Sequence, residues 1–89
     1  MIIQIDALFI NTDTITTISP YSREVSVNDV ESIEAGIIIN GIKYGLDVVP
    51  KDSEEVTKIR TKAAQVVNTI VNSITVHAVQ KLNLGEKDA

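Results

Sequence analysis

Eighty-nine residues, 44% of them hydrophobic and 22% charged, leave room for one hydrophobic core and predict a single domain. A net charge of −4 on ordinary apolar content excludes the signature of disorder, and the absence of cysteine excludes disulfides, thiolate nucleophiles and sulfur-ligated metal sites. Isoleucine and valine supply 25 of the 39 apolar residues and eight threonines raise the β-branched total to 33, which favours a sheet.

A disulfide-free chain of this size often gains stability by pairing with another copy, so association is expected from the outset. No basic leader precedes Met1-Ile2-Ile3, and no apolar run approaches the roughly 18–20 residues that span a bilayer. The expected location is therefore the cytoplasm, without membrane contact. Residues 1–50 carry a balance of −5 and residues 51–89 a balance of +1. An acidic first half repels phosphate, and neither half clusters lysine and arginine around aromatic residues, so nucleic acid is not an expected partner.

In chain order, residues 2–10 are β-rich and end at the turn formers Asn11-Thr12-Asp13. A short strand is expected over 14–19, stopped or pushed to an edge by Pro20. Tyr21 to Ser26 alternates weakly through Val25 and Val27, and Asn28 to Glu34, compatible with a loop, a short strand or one helical turn, is read as irregular. Asn40-Gly41, flanked by Ile37-Ile38-Ile39 and Ile42-Lys43-Tyr44, predicts a type I′ hairpin, because both central residues need positive φ.

Pro50 closes the sheet region, and Asp52 or Ser53 caps a helix with acids in its first turn. The period then becomes helical over 51–84, Gly85 reads as its stop, and 85–89 form a tail. Residues 63–80 contain no formal charge other than a possible proton on His77. A wet helix face usually carries lysine and glutamate, so this stretch predicts packing against a second copy through Val66, Val67, Ile70, Val71, Ile74 and Ala78. The plainer alternative is a helix covered on one side by its own sheet. A second alternative makes 72–82 a final strand, since nine of the fourteen residues from Val66 to Val79 are β-branched.

Catalytic signals are sparse. His77 is the sole histidine, and its helical neighbours Ser73, Ile74, Gln80 and Lys81 are poor metal ligands. The acid groups at Asp29/Glu31, Asp52/Glu54/Glu55 and Glu86/Asp88 are accounted for by a loop, a cap and a tail. No phosphate loop, nucleophile elbow or calcium loop occurs. The reading is therefore a non-enzyme without cofactor or metal. Tyr21, Arg23, Lys43 and Tyr44 are suited to grip a polar ligand or partner, with Glu31 and Glu34 as acidic recognition points. In structural terms alone, Tyr44 is a cross-strand partner and Arg23 offsets Glu24.

Phe9-Ile10-Asn11-Thr12-Asp13-Thr14-Ile15, then the residues around Asn40-Gly41, then Ser53-Glu54-Glu55-Val56, resemble the small flagellar FlbD family. They are also similar to short proteins of phages and prophages. The resemblance covers about half of the chain and rests on turn and cap signatures. It implies a small accessory or regulatory protein without enzymatic activity.

The expected architecture is α+β: a small antiparallel sheet of three to five strands, then one long C-terminal helix whose distal half packs in a homo-oligomer. The leading functional expectation is an oligomeric binding protein acting on a protein partner as inhibitor or regulator. A small-ligand or nucleotide binder with sites between protomers, and a structural assembly component, are the alternatives.

Overall fold

The computed structural model describes the backbone of residues 1–88 and the side chains through Thr75. Two antiparallel sheets precede one helix, which is the α+β class expected. Strands β1 (Ile2–Ile5) and β2 (Leu8–Asn11) form a hairpin around Asp6-Ala7. A single 3-10 turn, Thr12–Thr14, leads to β3 (Ile18–Val27), β4 (Val30–Ile39) and β5 (Ile42–Pro50), which pair in that order. Helix α1 (Val56–Asp88) completes the chain. Among the described residues, no helix is long and apolar enough to cross a membrane.

Asn28 to Glu34 is not irregular: it forms the turn and the start of β4 in the longest hairpin of the fold. Asn28 and Asp29 form its two-residue turn, with φ of 51° and 64°, and Val27 faces Val30 across it. Asn and Asp tolerate the left-handed region through their short polar side chains, so Asn-Asp works here as Asn-Gly does at 40–41. The strand expected over 14–19 begins only at Ile18 and runs through Pro20.

The ladder phase explains why Pro20 is harmless. Asn40 N donates to Thr17 O at 2.9 Å, so every second pair from there, including Ser19–Ile38 and Tyr21–Gly36, is the bonded kind. Pro20 falls between them, where an N–H would face the open edge of β3. Pro50 is placed alike on β5, since Lys51 N bonds Glu31 O at 2.9 Å and Pro50 lies one step out of phase.

Strand β4 is central, and its odd positions face the helix. Ile33, Ala35, Ile37 and Ile39 are buried beneath Ile59, Ala63, Val66, Val67 and Ile70, while Ile10 joins the core from the first hairpin. Ile37 and Ile70 have no exposed surface; burying an isoleucine fully contributes about 1.5–3 kcal/mol. The spacing of the helix residues is the three-and-four repeat read in the sequence.

Strand β5 carries a bulge. Gly36 faces Gly45 but Ala35 faces Asp47, so Leu46 is an extra residue. Tyr44, Leu46 and Asp47 consequently turn to the helix side, with Tyr44 and Leu46 packed on the core.

The helix starts later than expected. Ser53 Oγ accepts from Glu55 N at 3.1 Å, Val56 N bonds Ser53 O, and Ile59 N bonds Glu55 O. Glu54 and Glu55 thus belong to the preceding turn, and the first helical turn has no acid. Residues 72–82 are helical rather than a strand, and the helix passes Gly85 without stopping.

Candidate functional site

Opposite residues in an antiparallel ladder share a face, so the even positions of β4 define the side turned away from the helix. There Tyr21, Gly36 and Gly45 form one cross-strand row, and Arg23, Glu34 and Val48 form the next. The Asn40-Gly41 turn fixes the first row: once Ile39 opposes Ile42, the two glycines must meet. With no side chains beneath it, the Tyr21 ring lies across them. A Cβ on Gly36 would come within 2.9 Å of Tyr21 Cε1 and would collide with the Tyr44 carbonyl oxygen.

From that seat the phenol reaches the carboxylate in the next row. Tyr21 Oη donates to Glu34 Oε1 at 2.7 Å, and Arg23 Nε donates to the same oxygen at 2.9 Å. Burial, then the hydrogen bond and charge of Glu34, push the Tyr21 phenol up to about 12. The Tyr21 bond lowers the Glu34 pKa from the usual carboxylate value; burial opposes that shift, and Arg23 and Lys43 assist it. The cluster is a fixed carboxylate with one aromatic and one guanidinium flank.

Beyond it the face becomes apolar. Val27, Val30 and Val48 are between 44% and 50% exposed, and with Pro50 they border a shallow recess of about 400 Å³. No element of the described chain covers this side of the sheet.

The structure therefore brings together Tyr21, Arg23, Glu34 and, one row away, Lys43. It separates two others from them. Tyr44 lies on the opposite face, packed on the core, and Glu31 shares that helix-facing side at the exposed end of β4. Arg23 does not offset Glu24: neighbours on a strand point to opposite faces, and Glu24 pairs instead with Lys51 at 2.9 Å.

Of the helix residues, Val66, Val67 and Ile70 are buried in the chain's own core and Ile74 packs against it, whereas Val71 is 40% exposed. The side chain of Ala78 lies outside the described residues, as does that of His77. The polar helix residues bond inward to their own backbone: Thr69 to Gln65 O, Ser73 to Thr69 O and Thr75 to Val71 O, each at 2.9 Å.

Two polar constellations were not legible as sites in the sequence. Asn40 Oδ1 accepts from Thr16 N, Thr16 Oγ1 and Thr17 N, while its Nδ2 donates to Thr14 O, so the turn residue also pins the 14–17 connection. Lys62 bridges Asp6 at 3.0 Å and Asp47 at 3.2 Å, tying the first hairpin, the β5 bulge and the helix together. Its hydrogen bonds to Asp6 and then Asp47 raise its pKa above the ordinary lysine value. Among the described residues, no group of three His, Asp or Glu side chains is placed to hold a metal.

Compared with known proteins, the chain matches no family model, no curated protein and no solved structure.

Proposed function

We propose that the chain is a small non-enzymatic accessory protein of the cytoplasm that docks a protein partner through the uncovered face of β3–β4–β5 and self-associates along α1. The observation that carries the reading is the face itself: a preset Tyr21–Glu34–Arg23 cluster beside exposed valines, with no covering layer among the described residues. A fixed carboxylate and an aromatic ring beside apolar surface make a recognition patch that needs little ordering on contact. Glu34 is held low and Tyr21 high, so neither is poised for proton transfer near neutral pH, which favours binding over catalysis.

Support for self-association comes from α1. Its hydroxyls are already satisfied by their own helix, so a neighbour covering Val71 and the threonine methyls would desolvate little.

The test is native mass spectrometry of the full chain purified from its source, alongside Val30→Glu and Val71→Asp. The wild type should retain one protein partner and appear as an oligomer. Val30→Glu should lose the partner and stay oligomeric, and Val71→Asp should become monomeric with an unchanged melting temperature. Retention of a small molecule in place of a protein would overturn the docking reading, and a monomeric wild type at tens of micromolar would overturn self-association.

A further inference from the structure

Strands β2 and β5 each pair on one side only, and no backbone hydrogen bond joins them among the described residues. Between them lie two recesses, of about 500 Å³ and about 150 Å³, that share Leu8 and Tyr44. A recess on the face of a sheet is lined by alternate residues. Here β5 contributes the consecutive run 43–46 to one recess, beside residues 5–8, and β2 contributes the consecutive run 8–11 to the other, beside Thr14, Ile39, Asn40, Ile42 and Tyr44. Consecutive lining marks a cleft between strand edges.

The ladder phase says which backbone groups face it. In a two-residue hairpin the closing pair is bonded, so Ile5–Leu8 and Ile39–Ile42 are bonded pairs. Thr12 N bonding Met1 O at 2.8 Å confirms the phase of the first hairpin. The intervening residues, Phe9 and Asn11 on β2 and Lys43 and Gly45 on β5, turn their N–H and C=O groups away from their partners and toward the cleft.

Elsewhere prolines and a bulge interrupt parts of the edges. Pro20 removes the N–H that would face outward on β3, while the Leu46 bulge and Pro50 interrupt the rest of β5. The stretch Lys43–Gly45 is left without such a guard. On the helix side the gap is spanned by Lys62, which holds Asp6 and Asp47 across it and offsets one of their two charges. Phe9, 69% exposed, and Ile42, 57% exposed, stand at the cleft, and Lys43 has no ion-pair partner among the described residues.

We propose that this cleft accepts an extended peptide segment of a partner protein, which pairs with β2 on one side and β5 on the other. A seated strand would lie about 4.8 Å from each edge and would join the two sheets into one. Its backbone supplies the partners missing at Phe9, Asn11, Lys43 and Gly45. Its alternate side chains lie beside Ile42 on the helix side, where apolar residues fit, and beside Phe9 and Lys43 on the outer side, where an acidic residue meets the Lys43 charge. This site shares Lys43 with the outer face but is built on the edges of β2 and β5, not on the Tyr21–Glu34–Arg23 cluster or the exposed valines.

Amide hydrogen exchange by NMR on the full-length chain tests it, with a panel of blocked hexapeptides alternating valine with glutamate or threonine as probes. In the free chain the Lys43 and Gly45 amides should exchange at least tenfold faster than those of Ile42 and Tyr44. Peptide at millimolar concentration should slow exchange at Phe9, Asn11, Lys43 and Gly45, and the same peptides N-methylated at alternate nitrogens should not. Val30→Glu should respond like the wild type, which separates this site from the outer face. Lys43→Pro, which removes one cleft-facing N–H, should lose the response while melting within a few degrees of the wild type. Slow exchange at Lys43 and Gly45 in the free chain, protection that rises with protein concentration alone, or an equal effect from methylated peptide would each overturn the proposal. The second of these would assign the edge to another copy of the chain.

Discussion

Gly36→Ala and Gly45→Ala place a methyl group on the two members of one cross-strand pair, and the surroundings demand opposite outcomes. At Gly36 the new Cβ collides with the Tyr44 carbonyl oxygen and lies 3.0 Å from Gly45 Cα, so backbone must move. Overpacking of this kind costs about 1–3 kcal/mol, offset by about 0.4–1 kcal/mol as alanine narrows the unfolded ensemble. At Gly45 the nearest atoms are the Glu34 carboxylate at 3.3 Å and the Tyr21 hydroxyl at 3.6 Å, ends of side chains that can turn aside. The expected net loss is therefore about 1.3 kcal/mol for Gly36→Ala and under about 0.5 kcal/mol for Gly45→Ala. With roughly 4–8 °C per kcal/mol for a domain of this size, Gly36→Ala should melt about 5–10 °C lower. Urea unfolding followed by far-UV circular dichroism measures both. Equal losses, or a neutral Gly36→Ala, would mean that β4 and β5 do not approach as described.

Other perturbations address the polar groups. The Tyr21 pKa of about 12 is raised above its unfolded value near 10. Its contribution to stability is therefore complete below about pH 10 and lost as pH rises toward 12; ultraviolet titration of Glu34→Gln should show Tyr21 ionising earlier, and no change would remove Glu34 as a cause. Glu34 has the reverse sign: its depressed pKa stabilises the fold above the usual carboxylate range, and that part is lost as acid protonates it. Asn40→Gly keeps the turn's φ but deletes four hydrogen bonds, and should cost about 2 kcal/mol in urea unfolding, more than Asn40→Asp, which keeps the acceptor oxygen. Lys62→Met strands a buried Asp47 oxygen for which no hydrogen bond is otherwise made. It should cost about 1 kcal/mol, recovered in part by adding Asp47→Asn; an additive double variant would show that the two residues do not interact.

How much of this was legible differs by element. Asn40-Gly41 and the helical repeat from Val56 to Ile74 were plain because turn chemistry and periodicity are local signals. The 28–29 turn is less legible because Asn-Asp is a weaker left-handed pair than Asn-Gly; Pro20 rightly signals an edge strand, but that the strand continues through it depends on ladder phase, which is not visible in one strand. The helix start is not fixed by composition, since acids suited to a first turn serve equally in the turn before it. Tyr21, Arg23 and Glu34 were named as single candidates, yet their union required the β3–β4 register. Val66, Val67 and Ile70 illustrate the opposite limit: apolar spacing announces burial but does not say whether the covering surface belongs to the same chain.

The bulge at Leu46 sorts charge. Had β5 continued in the register of its hairpin, Asp47 would oppose Glu34, placing two carboxylates side by side on the outer face and turning Val48 toward the helix. One inserted residue inverts everything after it: Asp47 is delivered to Lys62, Val48 takes the seat opposite Glu34, and Val49 returns to the core. The chemistry of both faces thus hangs on the parity of a single position. Substitutions at Leu46 that keep the residue count should leave the Tyr21–Glu34–Arg23 cluster intact, while deletion of Leu46 would reassign both faces at once.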